Sequence, residues 1–183
     1  MKKPHSLAYL KSSNATSYYI YPFPTGRLYL FGNESHLKLV LFGYVIENSI
    51  EIEKYFNSAI TGKMDAAIKF LDNYIIGENG ALPNLDLESC TDKEIALYNE
   101  LLKVPFGETI SYNELAKRAG IEFGARFAGN AMAKNRFPIF IPCHRVIKAD
   151  GGIGNYSAGI AVKQFLLQHE RVICDKKNRK ARA

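Results

Sequence analysis

The apolar positions of this chain change period partway along. Ser17-Tyr18-Tyr19-Ile20-Tyr21, Arg27-Leu28-Tyr29-Leu30-Phe31 and Leu37 to Val45 are dense in aromatic and β-branched residues, a pattern that predicts strands. Pro22-Phe23-Pro24-Thr25-Gly26 and Gly32-Asn33-Glu34-Ser35 separate them as turns, so antiparallel hairpins are the simplest topology. The spacing then becomes helical: Ile52, Phe56 and Ile60 within 49–61, followed by Ala67, Phe70, Leu71 and Tyr74 within 64–76. The stretch Gly77 to Asn84 reads as a linker.

Beyond it the pattern is mainly helical. Thr91-Asp92-Lys93-Glu94 forms a capping box, and the helix it opens reaches about Lys103 with Ile95, Tyr98, Leu101 and Leu102 on its apolar face. Ser111 and Glu114 predict a second capping box, for a helix that Gly120 stops. A further helix runs from Ala125 to Lys134. Two short helices about a four-residue turn fit a helix-turn-helix and an ordinary αα-hairpin equally well. The second is rich in small residues, Ala125, Ala128, Gly129, Ala131 and Ala133. Close approach to DNA and tight helix packing both explain that. A Gly-rich loop from Lys148 to Gly159 and a last helix from Ile160 to about His169, closed by Glu170, complete the pattern. The fold class is α+β: a small N-terminal α/β domain (1–87) with antiparallel strands, a mainly helical domain (88–170) and a basic tail (171–183).

The chemistry concentrates in Ile139-Phe140-Ile141-Pro142-Cys143-His144-Arg145-Val146-Ile147. A strand-like apolar run here carries a cysteine, a histidine and an arginine in succession. A lone cysteine in such a run is most often a small hydrophobe. The basic neighbours point instead to a reactive thiol, since cationic groups lower a thiol's pKa. Adjacent residues of a regular strand face opposite sides, so His144 serves Cys143 only through a bend at Pro142 or a bridging water.

Composition narrows the setting. Net charge is +6, but 1–87 is neutral, 88–170 carries +1, and the stretch from Arg171 carries +5. The high pI is thus an effect of the tail, which reads as a solvated, mobile end with weak attraction to nucleic acid as a second reading. Residues 111–136 carry +3, which favours a nucleic-acid face modestly. Three dispersed cysteines, Cys90, Cys143 and Cys174, offer neither a disulfide framework nor zinc-ligand spacing. With no apolar stretch of membrane-spanning length and no signal-peptide pattern, an intracellular, cytoplasmic location is expected, nuclear in a eukaryote.

The order Phe106-Gly107-Glu108-Thr109-Ile110-Ser111-Tyr112, Arg126, Asn135, Pro142-Cys143-His144-Arg145-Val146, Gly154-Asn155-Tyr156-Ser157 and Ala161-Val162-Lys163 through His169-Glu170 resembles the O6-alkylguanine-DNA alkyltransferase family over about residues 91–170. The resemblance implies irreversible, single-use transfer of an alkyl group from guanine O6 in double-stranded DNA, with thymine O4 as a further substrate, to Cys143. It makes Glu170 the orienter of His144, which activates Cys143 through water, and Tyr112 the proton donor to the departing guanine. Asn135 ties the recognition helix to the active-site segment. Ser157 and the Tyr156 backbone would contact O6, and the carbonyls of Cys143 and Val146 would read the exocyclic amine. Arg126 would fill the stack vacated by a flipped base, Ala125, Ala128 and Gly129 would permit close approach to the groove walls, and Lys163 joins the substrate site. No cofactor and no metal are implied, and the protein is expected to act as a monomer. Ala158, where many relatives have Gly, is expected to crowd the pocket mouth. Two rival readings of the thiol are a redox-sensing helix-turn-helix module and a thiol hydrolase that turns over.

Overall fold

The computed structural model describes residues 14–43 and 64–182. The helix expected over 49–61 and the end of the third strand lie outside the described residues. The chain divides into two compact units, Met1–Asp86 and Leu87–Ala183. Among the described residues, no helix is long and apolar enough to cross a membrane.

The first unit is built on a three-stranded antiparallel sheet of β1 (Ser17–Phe23), β2 (Gly26–Gly32) and β3 (Leu37–Phe42), in that order. β1 runs through Pro22 and Phe23, so the first turn is only Pro24-Thr25, closed by the Phe23–Gly26 pair with Gly26 at φ +129°. Pro22 lacks an amide donor, which β1 tolerates as the outer strand of this sheet. β2 is buried on both faces. Tyr29 and Phe31 join Tyr18, Leu39 and Leu41 on one side, and the pleat turns Leu28 and Leu30 to the other. The helix α1 (Met64–Ile76) buries Met64, Ala67, Leu71 and Tyr74. Its Tyr74 stacks on Phe23 at 6.4 Å and its Asp72 accepts a 2.6 Å hydrogen bond from the Tyr21 hydroxyl. The expected linker does not end free. The Leu37 amide donates to the Asn84 carbonyl, the Asp86 amide donates to the Leu37 carbonyl, and Lys38 pairs with Asp86 at 2.6 Å.

The second unit begins with α2 (Asp92–Leu102), which carries the complete Thr91/Glu94 capping box. Its buried face is Glu94, Leu97, Tyr98 and Leu101; Leu102, expected inside, is exposed. Glu94 also takes Lys134 at 2.9 Å, and the Tyr98 hydroxyl donates to the Ala131 carbonyl at 3.0 Å. These two bonds dock α2 on α4 (Ala125–Lys134), the partner of α3 (Tyr112–Arg118) across the turn at 119–124. Ser111 caps α3 through the Glu114 amide, but the Glu114 carboxylate turns to Arg118 at 3.0 Å. The second capping box is therefore only half formed. Two-residue strands β4 (Ile110–Ser111) and β5 (Val146–Ile147) pair in parallel and bring the start of α3 beside the cysteine segment.

The last helix, α5, runs Ile160–Ala181, well past the expected stop at Glu170. Nothing at Glu170 breaks a helix, and Arg171 to Ala181 holds neither Gly nor Pro. The basic segment is thus helical through Ala181, its charged side chains exposed.

Candidate active site

The cysteine run is not a strand. Ile139 has φ +76°, a conformation that strains a β-branched residue by about 1–3 kcal/mol. Cys143-His144-Arg145 forms a single 3-10 turn entered from Pro142. The bend resolves the adjacency problem, because the two side chains need not face opposite sides of a sheet. Asn135, which ends α4, shapes the whole segment. Its Oδ1 accepts from the Phe137 amide at 3.0 Å, and its Nδ2 donates to the Ile141 carbonyl at 2.9 Å and to Cys143 Sγ at 3.0 Å.

Behind the thiol lies a buried polar chain. His144 Nε2 meets Glu170 Oε1 at 2.7 Å, both side chains fully buried. Burial pushes the His144 pKa down against the pull of Glu170, so the ring is neutral near pH 7. The carboxylate assigns the ring proton to Nε2, which leaves Nδ1 as the basic nitrogen. Burial alone would raise Glu170, but the hydrogen bond from His144 and the guanidinium of Arg145 outweigh it and hold the carboxyl at about 2. Arg145 reaches both carboxylate oxygens, with Nε 3.0 Å from Oε2 and Nη2 3.1 Å from Oε1, and donates through Nη1 to the Val104 carbonyl at 2.8 Å. The Gly107 amide adds a 2.8 Å bond to Oε2. Gly107 sits at φ +85°, and a Cβ there would lie 2.6 Å from Cys174 Sγ, so only glycine brings that amide to the carboxylate.

Burial raises the Cys143 thiol, while hydrogen bonding from Asn135, the charge of Lys163 and hydrogen bonding from Tyr156 pull it back. The resting group is a neutral thiol in surroundings that favour the thiolate once its proton leaves. Lys163 is fully buried on α5. Burial lowers its pKa to about 8, opposed by Cys143, and its Nζ donates to the Val146 carbonyl at 2.5 Å. The Val146 amide in turn donates to the Cys143 carbonyl. Both carbonyls expected to read a base are therefore already oriented by internal donors, each keeping a second lone pair.

In front of the thiol is a cavity of about 530 Å³ lined by Tyr112, Arg126, Gly129, Asn130, Cys143, Gly154, Tyr156 and Ser157, among others. Burial and the nearby Cys143 raise the Tyr112 pKa, so its hydroxyl keeps its proton. A Cβ on Gly154, itself at φ +70°, would come within 3.1 Å of that hydroxyl. The structure thus divides the expected residues into two sets. Tyr112, Arg126, Gly129, Tyr156 and Ser157 wall the cavity with Cys143, whereas Asn135, His144, Val146, Lys163 and Glu170 sit buried behind it. Ala125 is half-buried and does not line it. Ala128 is fully buried, so packing inside the unit accounts for its small size. Gly129, in contrast, has open space where a Cβ would stand. Ala158 is buried and absent from the cavity wall, because its methyl turns into the protein rather than towards the mouth.

Sequence reasoning missed the roles of Arg145, Gly107 and Gly154. Arg145 did leave a signal, as a third polar residue in an apolar run. The glycines stand in the motifs that carry the resemblance, but their partners, Glu170 and Tyr112, are distant in sequence.

Fold and site together define a helix-turn-helix protein with a buried cysteine at the wall of an open cavity. Residues 92–172 match the family model for the 6-O-methylguanine DNA methyltransferase DNA-binding domain. The chain is 33% identical over 162 residues to the methylated-DNA–protein-cysteine methyltransferase of Methanosarcina acetivorans, covering 84% of this chain and 97% of that one. It is 54% identical over 74 residues to the human protein of that name, covering 40% and 36% of the two chains. Among solved structures, Mycobacterium tuberculosis OGT in complex with DNA superposes with a TM-score of 0.73 at 33% identity, over 86% of this chain and 94% of that one. The chain belongs to the methylated-DNA–protein-cysteine methyltransferase family.

Proposed function

We propose that Cys143 is the alkyl acceptor of this chain and that its substrate is O6-alkylguanine in double-stranded DNA. The family's activity, direct repair of DNA by transfer of an alkyl group to a protein cysteine, is also this chain's. The observation that carries the proposal is the hydrogen bond from Asn135 Nδ2 to Cys143 Sγ at the cavity wall, with the buried His144–Glu170 pair beginning at the very next residue of the same 3-10 turn. That is a nucleophile, a base and an orienter in series.

His144 Nδ1 takes the thiol proton through a water. The sulfur then attacks the alkyl carbon, the carbon–O6 bond breaks, and its electron pair stays with the guanine. Tyr112 gives its hydroxyl proton to a ring nitrogen of the departing base and is reprotonated from the imidazolium by way of solvent. A thioether and an unmodified guanine remain, and no step regenerates the thiol. Lys163 and Asn135 stabilise the thiolate while it forms, and Glu170, held ionised by Arg145, stabilises the imidazolium. The Ser157 hydroxyl and the Tyr156 backbone receive O6. The guanine reaches the cavity only when turned out of the duplex, at a cost of a few kcal/mol, and Arg126 on the cavity rim fills the gap it leaves. In this proposal 88–170 is the DNA-binding and alkyl-acceptor domain, and the protein works as a monomer in the compartment that holds the DNA.

Incubation with duplex DNA carrying labelled O6-methylguanine tests this directly. Label is expected on the protein at no more than one per chain, and Cys143→Ala should abolish it while Cys90→Ala and Cys174→Ala leave it intact. Repeated release of methanol would instead establish a hydrolase. Absence of transfer combined with reversible thiol oxidation would establish a redox-sensing DNA-binding module.

A further inference from the structure

Phe123 is 99% exposed, the most exposed large apolar side chain among the described residues, and it stands in the turn between α3 and α4. Its backbone is in the left-handed region at φ +50°, which glycine or asparagine occupies with least strain. The inner side of the turn is already full. The Ile121 amide is bonded to the Ala116 carbonyl at 2.9 Å, and a Cβ on Gly124 would meet the Ile121 carbonyl at 2.8 Å and the Ala116 methyl at 2.9 Å. The ring therefore has no place in the core. Neither folding nor solubility accounts for a phenyl group at this position.

We infer that Phe123 is a DNA-contacting residue that packs its ring against deoxyribose and base edges beside the flipped nucleotide. The inference rests on the reading of 88–170 as a DNA-binding domain. Phe123 lies two residues before α4, whose Arg126, Gly129 and Asn130 line the cavity with Cys143. The N-terminus of α4 has no side-chain cap, so the amides of its first turn and its positive dipole end favour a phosphate next to the ring. An aromatic beside an anion-favouring helix end matches a nucleic acid, with its alternating phosphates and flat bases, better than an apolar protein surface. Apolar side chains recur among the DNA contacts of proteins that bend or open the duplex, and contact with the sugar carries no sequence information.

The chain contains no tryptophan, so Phe123→Trp installs a single reporter. Its emission is expected to be quenched on titration with unmodified duplex. Phe123→Ala is expected to slow label transfer from duplex roughly tenfold while reaction with free O6-benzylguanine stays at the wild-type rate, and Phe123→Tyr should retain the wild-type rate on both. Because the side chain is exposed, all three variants should melt like the wild type. Tryptophan emission indifferent to duplex that anisotropy shows to be bound would overturn the inference. So would an alanine variant equal to wild type on duplex, or one whose only change is in self-association. If the wild type itself transfers no label, the functional reading fails; if it does and Phe123→Ala matches it, only the role of Phe123 fails.

Discussion

Of the buried polar side chains other than tyrosine, the first unit contributes Ser17 among its described residues, whereas the second contributes Glu94, Asn135, Arg136, His144, Arg145, Lys163 and Glu170. The first unit holds a sheet of Tyr, Phe and Leu packed by a helix, where burial of apolar area stabilises without further conditions. The second desolvates four basic side chains and two carboxylates, which apolar residues of similar size would often replace without loss of stability. Buried charge that stability alone does not favour marks the part of the molecule shaped for chemistry. It also predicts that the two units fail under different insults.

The largest expected effect is on Glu170. Glu170→Gln removes the negative charge that Arg145 and the transient imidazolium require. Transfer from duplex should slow about a hundredfold, and the unpaired guanidinium should cost about 3–5 kcal/mol of stability. Single-turnover rates and urea unfolding check the two parts. An unchanged rate would dissolve the distinction between a chemical unit and a packing unit.

Phe31→Ala, fully buried near the end of β2, should be comparably destabilising at about 3–5 kcal/mol but should leave the rate per folded molecule unchanged. Denaturant titration alongside rates normalised to folded protein reads both. A lowered rate would mean that the sheet contributes more than stability.

Acid should separate the units as well. Glu170 is held at about 2 against an ordinary 4.5, so its contribution, about 3 kcal/mol, is present above about pH 4.5 and is lost as pH falls towards 2. His144, lowered by burial from 6.5, acts in the same sense, because the unfolded chain takes up a proton below that value that the folded one resists. In the first unit, the described group with a resolved shift is Tyr21, raised first by burial and then by its bond to Asp72. That phenol is protonated throughout the acid range. Probes in the second unit should therefore report unfolding at higher pH than probes in the first, as followed by NMR during acid titration. Coincident transitions would count against the contrast.

The smallest of these effects tests division of labour within the second unit. Arg126→Ala should slow repair of duplex about tenfold, a fraction of the flipping cost, and should slow the reaction with free O6-benzylguanine less. Equal losses on both substrates would remove the case for an arginine that assists flipping.

Much of this protein was legible as one-dimensional pattern. Aromatic and β-branched runs marked the strands, the capping box at Thr91 marked the start of α2, and a thiol, imidazole and guanidinium in one apolar run marked the site. Local chemistry determines such features, and local chemistry is what a sequence displays. The end of α5 was misjudged because a charged run can be solvated tail or solvated helix, and no breaker distinguishes them. The strand expected at Cys143 gave way to a 3-10 turn because Asn135 holds the segment by three hydrogen bonds, two of them to residues six and eight positions away. The sequence by itself determined the residue types, their order and hence the family. Only the tertiary structure decided that Arg145 and the Gly107 amide hold Glu170, that Gly154 borders Tyr112, that Ala128 and Ala158 turn inward, and that Phe123 stands clear of the protein. Those outcomes depend on which distant backbone comes within a few ångströms, and only the folded chain sets that distance.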